Sequence, residues 1–361
     1  MSAEDTPNES TWRNLSREEI CQLPMSERRR YVGHIRIFYP LWHTITNEIR
    51  RCHQLYQVAA EPECLLLVGP PGAGKTTLLA SYAIQFPAVF TDTATLRPVV
   101  MATTPSRANV NNLETALLSA LGDPAADKGS IGSRELRLIR FFKEICLVEL
   151  LILDDLQHFW DRRSKTILLD ASNWLKTFIK ETRVSCVLVG LPGEAEAIVN
   201  TNSQLASLFG DPYKLSPFEW DETEPKSTRE VFCTFLAELE ERLPLKKPSH
   251  LASYETALRC FAASDGILRY LMALVRRATY LALEREQEYL DHDLLFQAFK
   301  DRLAGARRGI PNPFTDKLPD LEAIKKNKAV KQESGDGQGT NRRSKPRNPD
   351  SLPREGSKDI F

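Results

Sequence analysis

The sequence has no excess of either charge: 48 lysines and arginines stand against 48 aspartates and glutamates in 361 residues. A global basic field that would draw nucleic acid is therefore absent, and any basic surface must come from local segregation of charge. Metal-ligand spacing is missing too. The seven cysteines (Cys21, Cys52, Cys64, Cys146, Cys186, Cys233 and Cys260) are odd in number and scattered without a CxxC pair, and the six histidines show no paired spacing. This argues against a zinc framework and fits reduced thiols in a cytosol. No stretch approaches the roughly 18 apolar residues of a membrane span, and "MSAEDTPNES" lacks the apolar segment of a secretory leader. No internal repeat is visible. The expectation is an intracellular soluble protein.

What is present divides the chain by pattern. Residues 1–14 read as a disordered leader. Residues 15–60 read as a helical extension, with Ile35, Phe38, Leu41, Trp42, Ile45 and Ile49 at helical spacing and breaks at Pro24 and Pro40. Over residues 61–222 short apolar runs ("CLLLV", "PVVMAT", "ELLILDD", "VSCVLVG", "YKLSPF") alternate with helical patterns. Those helices are expected from Lys75, from Asn109 to Leu121, from Ser133 to Cys146, near Lys165 to Glu181, and after Gly193. Nearly all-apolar strands separated by helices predict an α/β fold with a parallel sheet covered on both faces. Residues 223–304 are helical throughout and read as a lid. Residues 305–361 read as a basic flexible tail, with a short docking motif around "IPNPF"; residues 302–361 hold 14 basic and 8 acidic side chains.

Two motifs carry chemistry. The first strand runs into "GPPGAGKTT", which fits GxxxxGK[ST] across Gly69, Pro70, Pro71, Gly72, Ala73, Gly74, Lys75, Thr76 and Thr77. Glycines let backbone N–H groups wrap a β-phosphate, Lys75 neutralises the β- and γ-oxygens, and Thr76 ligates Mg²⁺ at the start of a helix whose positive end favours anions. The second motif is the pair of carboxylates ending "LLILDD". Asp154 is placed to hold Mg²⁺ and Asp155 to orient or deprotonate an attacking water; the alternative is a plain surface turn. The expected cofactors are ATP and Mg²⁺, and Lys75 and Asp155 are the expected catalytic residues.

The strand "PVVMAT" intervenes between the two motif strands, an order that separates additional-strand ATPases from Ras-like ones. With the lid, the chain resembles an AAA+ module. That resemblance implies that "GILR" is a sensor-2 motif with Arg269 on the γ-phosphate, the alternative being an ordinary helix arginine. After "VSCVLVG" the resemblance implies a polar sensor, where this chain has Leu191 and Pro192. An arginine finger is also implied, yet no arginine lies between Arg183 and Arg229, and Leu208 stands where one would be expected. Either Lys214, Arg162 or Arg163 takes that role, or hydrolysis is slow; slow hydrolysis is the expectation.

At family level, "LPMSERRRYVGHIRIFYPLWHTI", "RPVVMATTPSRANVNNLETALLSALGDP", "LLILDDLQHF" and "VLVGLPGEAEAIVNTNSQLASLF" together resemble TniB, the TnsC-like ATP-dependent regulators of bacterial transposition. The similarity spans roughly residues 15–315. It implies a bacterial cytoplasmic protein that forms a homo-oligomeric ring or filament on double-stranded DNA with ATP, receives a TniQ-type target-selection protein, and recruits a DDE-type transposase. It also implies that "TTPSRANVNN" faces DNA, making Thr104, Ser106, Arg107 and Asn111 phosphate contacts, the alternative being a solvated loop. The tail becomes either an arm touching DNA or a transposition partner, or a dispensable solubilising segment. Arg134 and Arg137 are expected to line DNA or meet a neighbouring subunit. The pairs or runs Arg28–Arg30, Arg50–Arg51, Arg276–Arg277 and Arg307–Arg308 are expected to be mostly solvated. Two other readings stay open: a conventional AAA+ DNA motor or loader, and a nucleotide-locked signalling scaffold without DNA.

Overall fold

The computed structural model describes residues 12, 15–56, 58–91, 95–106, 108–159, 165–222 and 228–322. Met1–Pro319 form one compact unit; the second unit, from Asp320, is described only to Glu322.

Among the described residues, helices α1 (Arg17–Gln22), α2 (Met25–His34) and α3 (Pro40–Gln54) precede the sheet. Ser16 caps α1 in a reciprocal box with Glu19, and Pro40 starts α3 where its missing N–H costs nothing. Trp42, Ile45 and Ile49 of α3 are buried at helical spacing. They lay that helix against β1 (Cys64–Val68) and β6 (Ser185–Gly190).

The sheet runs β4-β5-β6-β1-β7, all parallel, with β4 at Val99–Thr103, β5 at Leu150–Asp154 and β7 at Tyr213–Lys214. Every residue of β1, β5 and β6 is buried, because helices cover both faces. Those helices are α4 (Lys75–Ala83), α5 (Val110–Leu121), α6 (Ile131–Arg140), α7 (Lys165–Thr182), α8 (Glu194–Asn200) and α9 (Ser203–Ala206). The strand lying between the two motif strands in space is β6; "PVVMAT", β4, sits outside β5 at the edge. The core beneath is aliphatic and aromatic, with Trp174 stacked on Phe178 at 4.9 Å and Phe142 edge-on to the same ring at 4.9 Å.

Local departures have local causes. The helix expected over Ser133–Cys146 is α6 followed by a π-turn at Phe141–Ile145, closed by the Cys146 N–H donating to the Phe141 carbonyl at 2.8 Å. The wider turn leaves Phe142 facing Phe178. A small antiparallel hairpin, β2 (Val89–Phe90) with β3 (Thr95–Leu96), was not expected. "YKLSPF" gives only two ladder residues, after which the Leu215 N–H still donates to Val68.

The C-terminal region is helical: α10 (Thr228–Glu241), α11 (Tyr254–Ser264), α12 (Leu268–Glu284) and α13 (His292–Arg302). The chain beyond it does not become a tail at residue 305. Arg307 pairs with Asp265 at 3.0 Å, and buried Arg259 donates to the carbonyls of Pro313 and Thr315. Phe314 of "IPNPF" is itself buried, so that segment packs into the unit rather than standing free for docking. Arg28 of α2 is buried and donates to the Pro244 carbonyl and to Glu288, which ties the N-terminal extension to the helical region.

Candidate nucleotide site

The loop from Gly69 to Gly74 leaves the end of β1 and feeds α4. Gly72 and Gly74 have φ of +83° and +101°, a region L-residues with side chains rarely adopt. Space is equally restrictive at Gly69, where a Cβ would lie 2.5 Å from the Leu215 carbonyl oxygen. At Gly74 it would meet Leu268 at 2.9 Å and Trp42 at 3.0 Å. The result is a bare backbone cradle opening onto the N-terminus of α4, the shape and polarity a phosphate chain requires.

Lys75 is 8% exposed, and its ammonium donates to the carbonyls of Gly69 at 2.6 Å and Pro70 at 3.2 Å. Burial pushes its pKa down, against the pull of Asp154 and Asp155. The Thr76 hydroxyl donates to Asp154 Oδ2 at 2.5 Å. Asp154 is 1% exposed, and its Oδ1 accepts the Asp155 N–H at 2.8 Å. The two carboxylates therefore differ: Asp154 is buried and hydrogen-bonded, whereas half-buried Asp155 turns the chain with φ +58° and lines the cavity. A hydroxyl beside a carboxylate is an oxygen donor set of the class Mg²⁺ takes, so Thr76 and Asp154 fit that ion. The cradle and Lys75 fit a nucleoside triphosphate.

The cavity holds about 440 Å³. Lys75, Thr76, Thr77 and Asp155 line one side, Arg269 and Arg276 of α12 another, and Ile35, Ile37 and Trp42 a third. Arg269 is held there through its own N–H, which donates to the Gly72 carbonyl at 3.0 Å. The N-terminal extension thus supplies an apolar wall that sequence patterning assigned only to packing. Leu191 lines the cavity at the exit of β6, and Gln157 reaches the same place from the turn after Asp155, with its amide N–H donating to Asp155 Oδ1 at 2.8 Å. Gln157 was visible in "LLILDDLQHFW" but carried no recognised signal.

Other expected site residues fall elsewhere. Thr104 is 1% exposed, its N–H donating to the Asp154 carbonyl and its own carbonyl bonded to His158, so it supports the sheet end rather than facing DNA. Ser106 is exposed and Asn111 half-buried. Arg107, Arg162 and Arg163 lie outside the described residues. Lys214 is exposed and in register with Val68, but it does not line the cavity. Arg134 and Arg137 are turned inward. Arg137 pairs with Asp123 at 2.7 Å and donates to the Ala125 carbonyl, and Arg134 donates to Asp127, so both pin the loop between α5 and α6. Arg28, Arg276 and Arg307 likewise spend their guanidinium groups on carbonyls or carboxylates of the same chain.

The family described as "Bacterial TniB protein" matches residues 31–220, more than half of the chain. The chain belongs to the TniB family. No protein of curated function matches the sequence. Among solved structures, the Aeropyrum pernix ORC2 protein in ADPNP–ADP complexes is similar at 17% identity and a TM-score of 0.50, over 74% of this chain and 68% of that one. Cdc6p from Pyrobaculum aerophilum is similar at 17% identity and a TM-score of 0.52, over 76% and 71%. At these identities the likeness concerns the fold. This TniB-family chain has the AAA+ arrangement of a five-stranded parallel sheet followed by a helical region.

Proposed function

We propose that this TniB-family protein is an ATP-hydrolysing regulator of transposition that assembles on double-stranded DNA when ATP is bound. In that state it receives a TniQ-type target-selection protein and recruits and activates a DDE-type transposase. The observation that carries the reading is a phosphate cradle with Lys75, Thr76 and Asp155 lining one cavity and buried Asp154 hydrogen-bonded to Thr76, in a chain of a transposition-associated family.

The roles follow from placement. The amides of the Gly69–Gly74 loop and the Lys75 ammonium hold the β- and γ-phosphates. Thr76 and Asp154 hold Mg²⁺, which supplies charge neutralisation for the phosphates. The Asp155 carboxylate takes a proton from the attacking water, and Arg269 reaches the γ-phosphate from α12. Because Arg269 belongs to the helical lid and Lys75 to α4 of the α/β region, a γ-phosphate between them joins the two regions. Loss of that phosphate removes the join, which makes hydrolysis the release step for the assembly. Turnover is slow, because the chain has no arginine between Arg183 and Arg229 to act on a neighbour's nucleotide and Leu191 offers no polar atom at the β6 exit. DNA contact is through phosphates, from the exposed end of the loop at Ser106 and the neighbouring Arg107, with little reading of bases.

Negative-stain imaging with duplex DNA tests this directly. Rings or filaments on DNA are expected with a non-hydrolysable ATP analogue and not with ADP or without nucleotide. Particles indifferent to DNA would move the reading to a nucleotide-locked scaffold, and fast DNA-stimulated turnover would move it to a motor or loader.

A further inference from the structure

The turn after β5 is anchored on both sides. Leu156 and Phe159 are fully buried, and the His158 N–H donates to the Asp155 carbonyl at 3.1 Å. Between these anchors Gln157 has little freedom. Its amide N–H donates to Asp155 Oδ1 at 2.8 Å, and its Oε1 is buried without a hydrogen-bond partner. That oxygen is seated against the end of β6: a Cβ on Gly190 would lie 3.1 Å from Gln157 Oε1 and 2.8 Å from Ala195 Cβ. Gly190 thus leaves room for the glutamine at the point where the next residue, Leu191, offers only hydrocarbon to the cavity.

An amide donor held on a carboxylate fixes which way that carboxylate points, and the seat of Oε1 against Gly190 keeps the amide from turning away. The geometry points to Gln157 as the positioning residue for hydrolysis. Its Nε2 clamps Asp155 so that the free Oδ2 is the atom that takes the water's proton, while its Oε1 stays seated against the end of β6. Gln157 thereby acts on the water only through Asp155. The inference rests on the proposed role of Asp155 as base. The water gives one proton to Asp155 as its oxygen bonds to the γ-phosphorus and the bond to the ADP oxygen breaks; Gln157 gains and loses nothing covalently.

The full chain is compared with Gln157→Ala, Gln157→Glu, Asp155→Asn and the double variant Asp155→Asn/Gln157→Ala. Two readouts are used: single-turnover ATP hydrolysis with duplex DNA, and affinity for ADP against ADP with aluminium fluoride, a mimic of the phosphoryl group in transit. For Gln157→Ala the expected result is hydrolysis slower by about tenfold or more, with KM and ADP affinity within about twofold of the parent. The preference for the aluminium fluoride complex should fall in parallel. Gln157→Glu, the same shape with an acceptor in place of the donor, should not rescue either readout. In the Asp155→Asn background, Gln157→Ala should add little, because the two act as one unit. Parent-like hydrolysis and aluminium fluoride preference in both single Gln157 variants would overturn the inference, as would a full further tenfold loss in the double variant. Parent-like behaviour of Asp155→Asn would instead remove the assignment of the base itself. Should Gln157→Ala fail to bind ADP, the isosteric Gln157→Glu decides on the same two readouts.

Discussion

Gly69 sits where a single methyl group has nowhere to go, since the atom it would strike is a backbone oxygen of the neighbouring chain segment at Leu215. Gly69→Ala should therefore move the loop itself, lowering stability by about 1–3 kcal/mol and weakening nucleotide binding, both measurable by thermal melting with and without ATP. Lys75→Ala should bind no nucleotide tightly and form no assembly on DNA. Asp155→Asn should bind ATP with parent affinity and hold assemblies that do not dissolve, seen by light scattering over time after ATP addition. The phosphate cradle and the carboxylate pair were legible as motifs because their chemistry demands fixed residue types at fixed spacing. Gln157 was not, since one amide in a turn has no spacing to betray it and acquires meaning only from its distance to Asp155. Thr104, which the family resemblance put against DNA, is buried by the end of its own strand, a placement that the motif alone does not carry.

At the scale of elements, the helices and strands followed from apolar periodicity, while the π-turn and the β2–β3 hairpin did not. A one-residue change of helical pitch and a pair of two-residue strands lie below what a period can reveal. One junction of elements is pH-sensitive. His53 of α3 meets the Tyr82 hydroxyl of α4 at 2.9 Å and Glu149, just before β5, at 3.0 Å, with Phe86 edge-on at 4.6 Å. Burial pushes the His53 pKa below its ordinary value, outweighing the opposing pull of Glu149. The unfolded chain thus takes up a proton before the folded one does. His53 therefore favours folding fully above its ordinary pKa of about 6.5, and this contribution is lost as pH falls through the lowered folded value. Melting temperature should drop between pH 7 and 5.5 by more in the parent than in His53→Gln. A second junction is Arg28, whose removal leaves the Pro244 carbonyl without that donor and Glu288 with Lys246 alone; Arg28→Met should cost about 2 kcal/mol in denaturant unfolding.

Across the whole molecule, the nucleotide cavity draws on three stretches far apart in sequence: the N-terminal extension, the sheet and the helical region. Sequence patterning separates these stretches, but their convergence depends on tertiary contacts such as Arg28 to Glu288 and Arg269 to Gly72. On the proposed function, balanced net charge requires DNA affinity to come from a local set of cations repeated in an assembly, and so to be steeply salt-dependent. The measurement that tests the central claim most directly is fluorescence anisotropy of a labelled DNA duplex titrated with the protein in ATP, in ADP and without nucleotide, at two salt concentrations. Binding should be at least about tenfold tighter in ATP than in ADP, should weaken sharply with salt, and should lose its nucleotide dependence in Lys75→Ala. Equal affinity in all three nucleotide states would contradict the claim that the phosphate site gates assembly on DNA.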